Sequence, residues 1–145
     1  IQIMSAGSGI SHSEFNHSQD QFAEFLQIWI QPKKLDINPR YDQKFFTQEE
    51  FKNTFKLVLS PMGKNDSMAI NQDAYVSLLN LDKEKMVTYQ KYKKDNLIFI
   101  FVIVGQLIVL NEVLDTRDAI GLSDVNEVQV LASKDSEILL LEIPG

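Results

Sequence analysis

From Thr54 onward the chain is a succession of short apolar stretches, each cut off by a turn-forming cluster, and no stretch keeps a helical period for three turns. That pattern admits a β-sandwich or a β-barrel and little else. The candidate strands are 54–59, 67–71, 74–81, 86–92, 97–104, 106–110, 118–122, 125–132 and 137–143. In Leu97–Val104 and Glu137–Ile143 both faces are apolar, so these two are predicted to be central strands. Gly105 falls where one strand must bend or hand over to the next. Upstream, 1–6 reads as a strand followed by a Gly7-Ser8-Gly9 turn, and 24–30 as a strand stopped by Pro32. Residues 33–41 read as an exposed loop, 45–53 as a stretch with one helical turn, and Ser60-Pro61-Met62-Gly63 as a turn.

Composition narrows the function classes. The 145 residues include no cysteine, which excludes disulfides and thiolate metal sites and fits a reducing compartment; the expected location is cytoplasmic. A net charge of −6 argues against direct binding to nucleic acid. The one dense basic cluster, Lys91, Lys93 and Lys94, reads as a solvated strand end. The longest apolar run, 97–110, is interrupted by Gly105 and Gln106 and falls short of the roughly 20 residues of a membrane helix, so no membrane association is expected. Ile1-Gln2-Ile3-Met4 lacks the features of a signal peptide, and a chain that opens inside an apolar alternation reads as cut from something longer.

Candidate chemistry sits in one short region. The chain holds two histidines, His12 and His17. His12 and Glu14 are two residues apart, and on a strand such residues share a face. One imidazole and one carboxylate suit iron, manganese, nickel or zinc. Two donors do not make a stable site, because mononuclear enzymatic metals take three or four protein ligands. His17 lies in the polar run Asn16-His17-Ser18-Gln19-Asp20 and reads as solvated.

The surroundings carry more information than the pair. Ser-Ala-Gly-Ser-Gly-Ile followed by His-Ser-Glu-Phe-Asn, within 2–16, resembles the signature of the pirin family. Phe25-Leu26-Gln27-Ile28-Trp29-Ile30-Gln31-Pro32 resembles that family's next strand, and Pro39-Arg40-Tyr41-Asp42-Gln43 its following loop. Gln72-Asp73-Ala74 is similar to the opening of its second barrel, and Leu139-Leu140-Leu141-Glu142-Ile143-Pro144 to its last strand. The resemblance implies an all-β double-cupin jelly roll: 1–44 as the remnant of an N-terminal barrel with its connecting loop, and 45–145 as the C-terminal barrel. It implies a metal, iron foremost, held by three histidines and one glutamate. His12 and Glu14 match two of those ligands, while the family's His-x-His pair has no counterpart in this sequence. The second barrel, without histidine, is expected to be metal-free. The Gly-Asp turn expected late in that barrel stands here as Arg117-Asp118.

Some members of the family are linked to quercetin 2,3-dioxygenase activity and others to transcriptional co-regulation through protein partners. The resemblance therefore implies either a dioxygenase, with a flavonol-like small molecule as ligand and Glu14 as the base that takes its proton, or a protein-binding co-regulator or redox sensor without catalysis. Phe25, Gln27 and Trp29 form the candidate cavity wall, with Leu26, Ile28 and Ile30 facing the core. For the polypeptide itself, weak metal binding and little catalysis are expected. Strand edges left unpaired at 1–6 and 24–30 predict a homodimer with strands exchanged between copies.

Overall fold

The computed structural model describes residues 1–145. Its strands are β1 (Gln2–Ser5), β2 (Arg40–Gln43), β3 (Lys56–Ser60), β4 (Met68–Ala69), β5 (Tyr75–Leu81), β6 (Met86–Gln90), β7 (Asn96–Val109), β8 (Glu112–Asp115), β9 (Ala119–Leu122) and β10 (Glu127–Pro144). Two short 3-10 turns, Gln48–Phe51 and Lys64–Asp66, are the only helical elements. No helix is long and apolar enough to cross a membrane.

β7 and β10 organise the barrel. They pair antiparallel from Val130↔Val109 to Pro144↔Asn96, with register shifts between Ala132 and Ile138. On the near side of the shifts β10 pairs β6 while β7 pairs β8; on the far side β10 pairs β5 while β7 pairs β9. Two long strands thus bend together and belong to both walls of the jelly roll. The core lies between the walls. Leu79, Leu81, Ile98, Ile100, Val102, Ile138 and Leu140 face Leu107, Val109, Val128 and Val130 in one buried cluster. Each such side chain contributes about 1.5–3 kcal/mol by leaving water.

The bend has a residue-level cause. Gly105 has φ 108, in the region only glycine enters freely, and a Cβ there would run into the Ser136 side chain and the Asp135 carbonyl. The buried Ser136 hydroxyl accepts from Gln106 N at 3.0 Å and donates to Lys134 O at 2.7 Å, tying both bent strands together. The stretches 97–104 and 106–110 are consequently one strand, and so are 125–132 and 137–143. Both lie in the middle of the sheet order, as two-faced apolar strands should.

The second face of the larger wall is also apolar. Val76, Leu139 and Leu141 pack with Val58, Met68, Phe46 and Ile3, bringing the N-terminal residues onto the outside of the barrel. β1 does not stand alone, because it pairs with β2 from Gln2↔Gln43 to Ser5↔Arg40. The expected exposed loop 33–41 therefore ends in a strand, and Arg40 donates from its guanidinium to Ala69 O.

One further expectation is corrected. Residues 24–30 form no strand. No strand of either sheet takes 24–30 as a neighbour. Conversely, β8 has no forecast in the sequence. Leu110 (φ 49) and Asn111 (φ 70) close a two-residue hairpin between Val109 and Glu112, with both residues left-handed. A leucine at the first turn position hides that hairpin from a sequence reading. Arg117, where the resemblance expects glycine, does take the left-handed conformation, with φ 73.

Candidate metal centre

The turn before the candidate ligands is built for close approach. Gly7 has φ 53, and a Cβ on it would collide with Ile37 O. Ser8 N donates to that same Ile37 O at 3.2 Å and Gly9 N donates to Ala6 O at 2.9 Å. The chain is thereby turned out of β1 at a fixed point, with His12 and Glu14 just beyond.

His12 and Glu14 are both exposed, on a stretch that is not a strand. The period-two argument for a shared face therefore has no sheet to act on. His17 is exposed in a polar turn in which Asn16 Nδ2 donates to Gln21 O at 2.6 Å and Ser18 Oγ to Asp20 Oδ1 at 2.8 Å. Nowhere does the chain bring together three or more histidine, aspartate or glutamate side chains in a way that could hold a metal ion. The side chains of these residues thus offer His12 and Glu14 no third histidine or carboxylate donor.

The candidate cavity wall is equally open. Trp29 is 90% exposed and Phe25 68%, and Gln27 is exposed too. The face expected to be core is less exposed but not buried: Leu26 stands at 40% and Ile28 at 45%. Ile30 alone reaches the outer core, packing against the cluster that holds Ile3 and Phe46. The alternation read from the sequence persists in exposure although no ladder forms. Two open grooves on the surface include none of these residues; one, of about 260 Å³, runs between Ser5, Arg40 and Asn71, and the other, of about 410 Å³, lies beside Glu49, Asp82 and Glu137.

The most heavily engaged polar side chain is one that the motif search passed over. Glu142 is fully buried near the end of β10. Its Oε2 accepts from Tyr89 Oη at 3.0 Å and Tyr92 N at 2.8 Å, and its Oε1 from Lys93 N at 2.8 Å and Asn96 Nδ2 at 2.9 Å. Burial, and then the Glu142 carboxylate, push the Tyr89 hydroxyl far above its ordinary range; the same two causes raise Tyr92. Tyr92 stacks on Tyr75 with ring centres 4.4 Å apart, and Phe55 meets Tyr89 edge-on. The carboxylate anchors the 91–95 turn through the Tyr92 and Lys93 N–H groups. The available signal was one acidic residue inside the apolar run 138–143.

Two family models match the chain: the quercetinase C-terminal cupin domain over residues 57–143, and pirin over residues 1–30. A quercetin 2,3-dioxygenase of Escherichia coli K12 is 34% identical over 99% of this chain, and 61% of that protein is covered. A putative quercetin 2,3-dioxygenase of Pasteurella multocida is also 34% identical, with 60% of its length covered. Among solved structures, E. coli YhhW superposes with a TM-score of 0.74 at 28% identity, covering 80% of this chain and 48% of that one. The bacterial pirin YhhW in complex with nickel(II) gives 0.71 at 27%, covering 78% and 47%. The chain thus spans about three fifths of the curated relatives' length. With a quercetinase-type C-terminal cupin over 57–143, a pirin match over 1–30 and these relatives, the chain belongs to the pirin family of cupin proteins.

Proposed function

We propose that this chain is the part of a quercetin 2,3-dioxygenase-type pirin that carries the second barrel and two of the metal's ligands. His12 and Glu14 donate to a divalent metal, and residues outside these 145 complete its sphere. The observation that carries the reading is the pirin match over residues 1–30, which contains both donors. The nickel(II) complex of a pirin at 27% identity supports a divalent ion; iron is our expectation for this protein. A flavonol-like molecule is the proposed substrate, supported by the quercetin 2,3-dioxygenase relatives. In that reading Glu14 is the base for the flavonol hydroxyl proton, and Gln27 and Trp29 line the cavity. We divide the chain at residue 44, with 45–145 as the structural barrel. We place the protein in the cytoplasm.

The exposed aromatics Phe15, Phe22, Phe25 and Trp29 favour covered packing, and in the isolated 145-residue chain we propose a second copy as the cover.

Quercetin turnover, followed by oxygen uptake, tests the activity. A longer polypeptide that joins this chain to a His-x-His segment is expected to consume oxygen with quercetin, and the 145 residues alone are not. Absence of turnover from the longer polypeptide at full metal loading would overturn the substrate assignment.

A further inference from the structure

Asp73 is the one carboxylate of the chain that holds two lysines. Its Oδ2 receives Lys33 Nζ at 2.6 Å and Lys93 Nζ at 3.1 Å, so one oxygen joins two segments far apart in sequence. The backbone follows the same path. Lys33 N donates to Asn71 O at 2.8 Å, Gln72 Nε2 to Gln31 O at 2.8 Å, and Asn71 Nδ2 to Lys34 O at 3.3 Å. Residues 31–34 are therefore laid along 71–73. The Lys93 end is fixed in turn, because Lys93 N donates to the buried Glu142 carboxylate.

The contrast upstream is what makes this junction informative. No backbone–backbone hydrogen bond involves residues 10–32. Glu24 has an ion pair with Arg117, at 3.9 Å between exposed groups. Gln27 and Trp29 thus sit just upstream of the first polar attachments to the second barrel, at Gln31 and Lys33, with Ile30 packed on the outer core between them.

We propose that Asp73 is a positioning residue: it docks the 31–34 segment on the second barrel and so sets where Gln27 and Trp29 stand. The docking rests on geometry alone; its relevance to substrate rests on the cavity-wall reading given above. The second barrel then has a role beyond stability, as the fixed support from which the wall of the first barrel is hung.

Trp29 is the single tryptophan, four residues before Lys33, and reports on this segment directly. The 145-residue chain, its Asp73→Asn and Lys33→Met variants and the double variant should be compared by Trp29 fluorescence anisotropy and by amide exchange at Lys33. Each single variant is expected to raise Lys33 exchange about two- to five-fold and to lower Trp29 anisotropy, with β7 and β10 amides unchanged. The double variant is expected to go no further than Asp73→Asn alone, because the Lys33 interaction is already lost there. Wild-type exchange and anisotropy in Asp73→Asn, or additive effects in the double variant, would overturn the proposal. Lys33→Met alters a largely exposed side chain and keeps the test available should Asp73→Asn disturb the fold. Neither measurement involves metal or flavonol, so this docking and the function proposed above fail separately.

Discussion

Tyr89 donates its phenolic hydrogen to Glu142 Oε2 over 3.0 Å, on the inside of the barrel wall. The carboxylate is fully buried with no ion-pair partner, and neutral donors alone satisfy it. Removing it strands two backbone N–H groups, a phenol and an amide. Glu142→Ala is therefore expected to cost about 3 kcal/mol or more, since each unsatisfied buried group carries a penalty of about 1–3 kcal/mol. Glu142→Gln turns an NH2 group toward donors and is expected to cost about 2 kcal/mol. Denaturant midpoints measure both, and a glutamine variant as stable as wild type would show that the charge is immaterial.

Gly105 and Ser136 set the corner that lets β7 and β10 serve both walls. Gly105→Ala meets a positive φ and two backbone-level collisions. It is expected to cost about 3 kcal/mol, at the upper end for a strained position. Thermal unfolding checks it.

Arg117 is the opposite case. Its φ of 73 is held by a hydrogen bond from its own N to Val102 O at 2.7 Å, which glycine would keep. Arg117→Gly is expected to stabilise the chain by about 0.5–1 kcal/mol through relief of the left-handed strain. A lower melting temperature for that variant would contradict this.

Stability is expected to fall at both ends of the pH range. Glu50 is held below its usual value by the Thr47 N–H and then Lys56, Asp66 by Lys44, and Asp73 by Lys33 and then Lys93. A carboxyl whose folded value is lowered stabilises the fold above its unfolded value, and that contribution is lost as pH drops through the folded one. The acid limb should therefore begin near pH 4 and steepen below it. Tyr89 and Tyr92 are raised, so the unfolded chain releases protons that the folded chain keeps, and stability declines above about pH 10. Melting temperatures across pH 2–11 read both limbs, and Tyr89→Phe should flatten the alkaline one.

Much of the barrel was legible in the sequence because strand alternation and turn residues act locally. The two-faced apolar character of 97–104 and 137–143 placed β7 and β10 at the centre, and Gly105 marked the bend. What stayed hidden depends on partners or on unusual turn residues. Residues 24–30 alternate as a strand does, yet a strand needs a neighbour, and no strand of either sheet pairs with them. The Leu110-Asn111 hairpin lacks the glycine that would announce it. At the candidate site the sequence supplied His12 and Glu14, and the fold leaves both exposed with no third ligand. Glu142 went unnoticed because its meaning lies in donors from 89–96, far away in sequence.

Whether His12 and Glu14 are metal ligands is answered most directly by metal content. The polypeptide that joins this chain to a His-x-His segment should be purified as wild type, His12→Ala and Glu14→Ala, and assayed by mass spectrometry for iron and nickel. About one divalent ion per wild-type chain is expected, falling at least about ten-fold in both variants. Full metal content in His12→Ala and Glu14→Ala alike would contradict the account.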